Sequence, residues 1–187
     1  MFIQTETTPN PASLKFLPGR DVLASGTADF ADSDSAKRSP LATRLFEIDG
    51  VNRVFLGTDF ITVSKQAETE WAVLKPMVLA AVMDHYTSGT ATMDAAEETA
   101  GTGESSVEPG DDDIVVQIKE LLDTRIRPQV ANDGGDIIFR NFEDGVVYLH
   151  MQGSCSGCPS STATLKSGIE NLLRYYVPEV QAVEAVE

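Results

Sequence analysis

The sequence feature that most constrains this chain is the loop over residues 153–161, because it contains both cysteines of the 187 residues. Cys155 and Cys158 are separated by two residues, a spacing at which two thiolates can bind one metal ion or form a disulfide with each other. Gly153 and Gly157 allow the backbone to turn sharply, since neither carries a Cβ atom. The loop is therefore predicted to direct both sulfur atoms the same way.

A helix is predicted to begin directly after this loop. Pro159 suits the first position of a helix, so Cys158 is expected to be its N-cap. The sulfurs would then lie at a helix N-terminus, where unpaired N–H groups and the helix dipole favour thiolate and can donate hydrogen bonds to inorganic sulfide. The apolar residues that follow recur at helical spacing, namely Leu165, Ile169, Leu172, Leu173 and Tyr176.

Two cysteines do not complete a metal centre within one chain. A tetrahedral zinc ion or an iron–sulfur cluster takes about four protein ligands. Two chains could each supply a cysteine pair across a two-fold axis, the pair could be a reversible dithiol, or other residues could complete the site. The two histidines offer little support for the last alternative. His150 is expected on the solvent-facing side of a strand, and His85 either at the surface or at the C-terminal end of an apolar helix.

Charge and hydropathy argue against several classes of function. The chain has 14 basic and 29 acidic residues and a formal net charge of −15, which disfavours binding to a nucleic-acid backbone or an anionic membrane. We find no segment approaching the roughly 20 apolar residues of a membrane-spanning helix, and no pattern of a secretory signal or Arg-rich transit segment. A cytoplasmic location is expected, where a close cysteine pair is more often metal-binding or redox-active than structural.

The chain is predicted to belong to the α+β class, with two small α/β-sandwich-like domains joined by a flexible acidic linker. Residues 1–87 form the first domain and residues 111–187 the second. The linker, residues 88–110, is rich in Ala, Thr, Gly and Ser and contains five acidic residues but no basic one. Such a segment does not contain enough apolar surface to fold by itself.

In the first domain, breakers and periodicity predict four strands and two helices. The strands are placed at 2–5, 14–17, 51–56 and 60–64, one helix begins after Ser39 as cap, and the other spans 69–86.

The second domain is predicted to have the order αββαβ. Its first helix starts at 111 and stops at Pro128, strands follow at 137–142 and 146–152, and the helix from Pro159 precedes a last strand at 180–186. The glycines at 134 and 135 have two interpretations. They form a tight turn, or the segment Asp133–Asp136 shapes the surroundings of the cysteine loop.

Several stretches resemble those of a known family. Residues 129–137 (Gln-Val-Ala-Asn-Asp-Gly-Gly-Asp-Ile) and 149–162 (Leu-His-Met-Gln-Gly-Ser-Cys-Ser-Gly-Cys-Pro-Ser-Ser-Thr) resemble the C-terminal domain of NifU and Nfu-type iron–sulfur scaffold proteins. Residues 2–19 and 39–42 resemble the Nfu N-terminal domain. The resemblance thus covers both predicted domains.

The resemblance implies a scaffold or carrier that is not an enzyme. In that family the paired cysteines, here Cys155 and Cys158, hold a [4Fe–4S] cluster bridged between two subunits and pass it to recipient apoproteins. It therefore implies a homodimer when loaded, with upstream cluster donors and apo iron–sulfur client proteins as partners. A [2Fe–2S] cluster is the alternative cargo. The dimer agrees with the ligand count, since two chains together supply four thiolates.

Three rival functions use the same features. A thiol–disulfide redox protein would use Cys155 and Cys158 as a reversible pair, although a thioredoxin-like domain needs more strands after the active-site helix than the remaining residues allow. A zinc ion shared between two chains would make the protein a structural interaction module. A nucleic-acid module is disfavoured because residues 111–187 contain 13 acidic and 6 basic residues.

Overall fold

The computed structural model describes residues 1–94 and 110–186. The chain divides into two compact units, Met1–Thr102 and Gly103–Glu187, each with a hydrophobic core of its own. Both units combine helices with a sheet, so the predicted α+β class is confirmed. Most of the predicted linker lies outside the described residues, and its flexibility stays a prediction. Met93, which lies within the predicted linker, is buried in the core of the first unit.

The first unit is an antiparallel sheet with strand order β1-β2-β5-β4-β3, packed against two helices. Side chains from the sheet and both helices share one core, which includes Phe16, Leu45, Val63 and Val78. The strands are β1 (Gln4–Thr7), β2 (Ser13–Leu17), β3 (Ala28–Phe30), β4 (Val51–Leu56) and β5 (Ile61–Lys65), and the helices are α1 (Pro40–Phe46) and α2 (Trp71–Ser88).

Local signals placed the helix starts of this unit well. Ser39 caps α1 as predicted, because its side chain accepts a hydrogen bond of 3.1 Å from the Ala42 N–H. Pro76 lies inside α2 without ending it. Strand β3 and a short 3-10 helix at Ser35–Arg38 were not predicted, since three residues show too little alternation to identify a strand.

Of the two positions predicted for His85, the C-terminal end of a helix is confirmed and the surface is wrong. His85 belongs to the inner side of α2 and is 1% exposed. Its Nε2 atom has no hydrogen-bond partner among the residues that the structure describes. Burial, followed by the nearby positive charge of Arg44, lowers the pKa of His85 below its ordinary value.

The second unit confirms the predicted αββαβ order. Its sheet has the order β6-β7-β8, with β6 antiparallel to β7 and β8 parallel to β7, so α5 crosses between two parallel neighbours. The elements are α3 (Asp113–Leu121), α4 (Arg127–Asn132), β6 (Gly135–Glu143), β7 (Val146–Gly153), α5 (Pro159–Tyr176) and β8 (Ala182–Val186).

The prediction that Pro128 stops the first helix is wrong. A π-helical turn at Leu122–Ile126 follows α3, and the chain then continues as α4 with Pro128 in its first turn. Proline is tolerated at that position because the first N–H groups of a helix have no partner inside it. Helical backbone therefore extends to Asn132, directly before the segment Asp133–Asp136.

The register of the β6–β7 hairpin positions the cysteine loop. Gly135, the first residue of β6, pairs with Gly153, the last residue of β7. The turn at Asp144 and Gly145 has positive φ at both residues, as the tight hairpin predicted there requires. The segment that begins β6 therefore lies beside the loop that leaves β7.

Candidate cluster-binding site

The glycines and the helix cap of the loop between β7 and α5 have the conformations that the sequence predicts. Gly153 and Gly157 have φ values of +63° and +81°, conformations that favour glycine. Cys158 is the N-cap of α5, with extended backbone, and its carbonyl accepts the first helical hydrogen bond from the Thr162 N–H at 2.9 Å. The Thr162 hydroxyl donates to the Cys155 carbonyl at 3.0 Å. The loop is thereby tied to the start of the helix.

The two thiols have different surroundings, although both are free. Cys155 is 6% exposed and belongs to the core of the second unit. Burial raises the pKa of the Cys155 thiol to about 12, and the charges of Asp133 and Asp136 act in the same direction. Cys155 is therefore a buried thiol that stays protonated in the absence of a ligand.

Cys158 is only half-buried and lies at the positive end of α5. Hydrogen bonding from the Ser160 and Ser161 side chains lowers the pKa of the Cys158 thiol to about 7, and the Ser160 Oγ lies 3.4 Å from the sulfur. The prediction that the helix N-terminus favours thiolate at both sulfurs thus agrees with the lowered pKa of Cys158 and disagrees with the raised pKa of Cys155. The sequence showed the helix N-terminus but not which sulfur would be buried.

Both interpretations of the segment Asp133–Asp136 are correct, each for a different glycine. Gly134 has a φ of +82°, as a tight turn requires. Gly135 instead lies against Cys155, because a Cβ at this position would be 2.5 Å from the Cys155 sulfur. The Ser154 N–H donates to the Gly134 carbonyl at 3.2 Å, which fastens the turn to the cysteine loop.

An ion pair beside this turn was missed by the sequence analysis. Arg127 donates two hydrogen bonds to Asp136, from Nε at 2.9 Å and from Nη2 at 2.8 Å. Asp136 is 3% exposed and also accepts from the Ile137 N–H at 2.8 Å. The only signal was a nine-residue spacing between opposite charges, which identifies a pair only once the fold is known.

Other metal-ligating side chains do not join the two cysteines. His150 lies on the face of β7 opposite the buried Leu149 and Met151, and its Nδ1 is 3.2 Å from the Val186 carbonyl. Within residues 1–94 and 110–186, no group of three or more His, Cys, Asp or Glu side chains is arranged to hold a metal ion. Among the described residues, the candidate donors at this site are therefore the two thiols, which suit iron or zinc.

Comparison with known proteins shows the family to which both domains belong. Residues 3–89 match the family model for the scaffold protein Nfu/NifU N terminal, and residues 118–184 match the model for the NifU-like domain. The first match lies within the first compact unit and the second match within the second unit. The chain belongs to the Nfu/NifU family.

Curated relatives match along the whole chain. The human protein named "NFU1 iron-sulfur cluster scaffold homolog, mitochondrial" is 56% identical over all 187 residues, which cover 72% of its length. The protein of the same name from Drosophila sechellia is also 56% identical over 187 residues, but the chain spans only 65% of that relative. The chain is thus shorter than both relatives.

One solved structure with a similar fold is a NifU-like protein from Saccharomyces cerevisiae. It is 27% identical, covers 51% of this chain and 86% of its own, and superposes with a TM-score of 0.46.

Proposed function

We propose that this chain is a non-catalytic iron–sulfur cluster scaffold or carrier. It assembles or accepts a [4Fe–4S] cluster on Cys155 and Cys158, shares the cluster between two subunits, and transfers it to apoproteins. The observation that carries the proposal is the position of two free thiols at the N-terminal end of α5, in a chain of the Nfu/NifU family. The backbone N–H groups of Ser160 and Ser161 in the first turn of α5 hydrogen-bond to the Cys158 sulfur and favour its thiolate form, which is the form that binds metal.

The dimer follows from the number of donors. A [4Fe–4S] cluster takes four thiolates, and the chain has two cysteines. Two chains related by a two-fold axis complete the set without any further ligand. Sharing also suits release, because separating the subunits removes half of the ligands from the cluster.

The two domains have different roles in this proposal. Residues 111–187 bind the cluster, and residues 1–87 belong to a separate domain. The partners are upstream cluster donors and apo iron–sulfur client proteins, and a [2Fe–2S] cluster is the alternative cargo. The acidic charge of the chain favours neither nucleic acid nor an anionic membrane as a partner.

The expected cytoplasmic location stays a prediction, and the curated relatives are named mitochondrial. Across the described ranges 1–94 and 110–186, none of the helices combines the length and apolar character needed to cross a membrane.

The ligand assignment is tested by anaerobic reconstitution with iron and sulfide of the full chain and of two variants, Cys155→Ser and Cys158→Ser. Both variants are expected to lose the bound iron and sulfide while far-UV circular dichroism stays unchanged. The matched control is His150→Ala, which removes a different potential ligand and is expected to keep the full iron content. A cysteine variant that retains full iron and sulfide would refute the assignment.

A thiol–disulfide redox function is the second candidate, because one accessible thiol beside one buried thiol could also form a reversible pair. Against it, β8 is the single strand that follows α5 within the described residues. Exposure to a thiol-specific oxidant separates the two functions. An intramolecular disulfide that forms reversibly, in a protein that binds no cluster, would favour the redox function.

A further inference from the structure

We infer that the two cysteines have unequal roles in cluster transfer. Cys155 is the retained ligand, held in a seat formed by Gly135, and Cys158 is the ligand that an incoming client thiol displaces first. This inference rests on the proposed function and adds to it an order of ligand exchange and a positioning residue, Gly135.

The seat is the space that Gly135 leaves open. A Cβ atom at this position would lie 2.5 Å from the Cys155 sulfur, 2.7 Å from the Gln152 carbonyl oxygen and 3.2 Å from the Cys155 nitrogen. Side chains do not make contacts under 3.0 Å without a shift of the structure. Gly135 is not among the glycines with positive φ, so its backbone does not itself require glycine. The residue is therefore needed for space, and the space contains the sulfur of Cys155.

The backbone on both sides of the seat is fixed. On one side, Asp136 is held by two hydrogen bonds from Arg127 and one from the Ile137 N–H. On the other side, the strand pairing of Gly135 with Gly153 and the hydrogen bond from Ser154 to Gly134 hold the cysteine loop. A thiol in such surroundings moves only when the local structure opens.

Cys158 is accessible by comparison. It is half-buried at the start of α5, and its sulfur contacts the Ser160 hydroxyl at 3.4 Å. A Cβ built on the neighbouring Gly157 would meet no atom within 4 Å among the described residues. An incoming thiol can therefore approach Cys158 without displacing packed side chains.

The exchange step is a substitution at one iron atom. The client sulfur forms a bond to that iron, the bond from the iron to Cys158 breaks, and the proton of the client thiol ends on the Cys158 sulfur. No electron is transferred, and Cys155 keeps its iron throughout. The chain thus remains attached to the cluster while the client acquires its first ligand.

The seat is tested on the apo protein by timed alkylation with N-ethylmaleimide and location of the label by tandem mass spectrometry. Cys155 is expected to react at least about tenfold more slowly than Cys158, because it reacts only through local opening. Gly135→Ala is expected to reduce this ratio severalfold. The control is Gly168→Ala, since a Cβ at Gly168 in α5 meets nothing within 4 Å, and it should leave the ratio unchanged. Equal rates in the wild-type chain, or equal effects of the two variants, would overturn the seat.

The order of exchange is tested on the loaded wild-type dimer under anaerobiosis, so that it does not depend on a variant that fails to fold. The dimer is challenged with 2-mercaptoethanol and pulsed with light N-ethylmaleimide, and the remaining cysteines are labelled with the heavy form after unfolding. Singly labelled chains should carry the light label on Cys158. Light label on Cys155, or on both cysteines equally, would overturn the inference while leaving the proposed function intact. Failure to bind any cluster would overturn the proposed function and the exchange order, whereas the alkylation ratio would still test the seat.

Discussion

Arg127→Ala should destabilise the second domain strongly, because it removes the charged side chain that pairs with the buried Asp136 carboxylate. The Asp136 side chain is 4% exposed and that of Arg127 is 17% exposed. The substitution removes the hydrogen bonds of 2.9 Å and 2.8 Å that the guanidinium donates to the two carboxylate oxygens. Asp136 keeps its hydrogen bond from the Ile137 N–H.

The magnitude follows from the burial of the pair. A hydrogen bond to a charged group contributes about 1.5–3 kcal/mol, so two of them set a scale of roughly 3–6 kcal/mol. Removing one partner of a buried ion pair likewise lowers the free energy of unfolding by about 3–5 kcal/mol. The retained bond from Ile137 offsets part of this cost, so we expect about 3 kcal/mol. That loss increases the population of the unfolded domain by roughly a hundredfold.

The assay is hydrogen exchange of the full chain, followed by mass spectrometry of peptides from β6 and β7. The matched control is Arg174→Ala, since Arg174 contacts Glu170 on α5 at 3.5 Å with side-chain exposures of 54% and 27%. An exposed pair of this kind contributes about 0–1 kcal/mol. The reasoning would be refuted if Arg127→Ala and Arg174→Ala changed the free energy of opening by the same small amount.

Three further predictions concern the two domains separately. Burial lowers the pKa of His85 in the folded state below its ordinary value of 6.5. As the pH falls, His85 is therefore protonated at a higher pH in the unfolded state than in the folded state. The first domain should therefore lose stability as the pH falls below about 6.5. Denaturant unfolding followed by Trp71 fluorescence checks this, and a His85→Gln chain that keeps the same pH dependence would contradict it. Ser39→Ala should cost the first domain about 1 kcal/mol in the same assay, because α1 loses its cap, and no measurable change would refute the role of the cap. The fragment Gly103–Glu187 should bind as much iron per chain as the whole protein, and loss of binding would show that the first domain supplies ligands or the dimer contact.

The sequence predicts those parts of the fold that depend on neighbouring residues. Cys158 as a helix cap follows from Pro159, and the β6–β7 hairpin follows from Asp144 and Gly145, because each signal acts within a few residues. The order αββαβ follows from the same local signals. Pro128 shows the limit of such rules, since the π-helical turn before it lets helical backbone continue.

The features that depend on distant contacts were not predictable. The burial of Cys155 arises from its packing against Gly135, twenty positions earlier, and depends on the register of two strands. The burial of His85 depends on how α2 packs in the core of the first unit. The segment after α2 also returns to the start of α1, where the Ser39 hydroxyl donates a hydrogen bond of 2.6 Å to the Thr92 carbonyl. Residue type and spacing identified the thiols, whereas only the fold shows that they are unequal.

Native mass spectrometry of the full chain, reconstituted with iron and sulfide under strict anaerobiosis, tests the central claim most directly. The account predicts a dimer whose added mass equals one cluster of four iron and four sulfide. A cluster-free monomer lighter by two hydrogen atoms, or a dimer that contains zinc instead of the cluster, would contradict it.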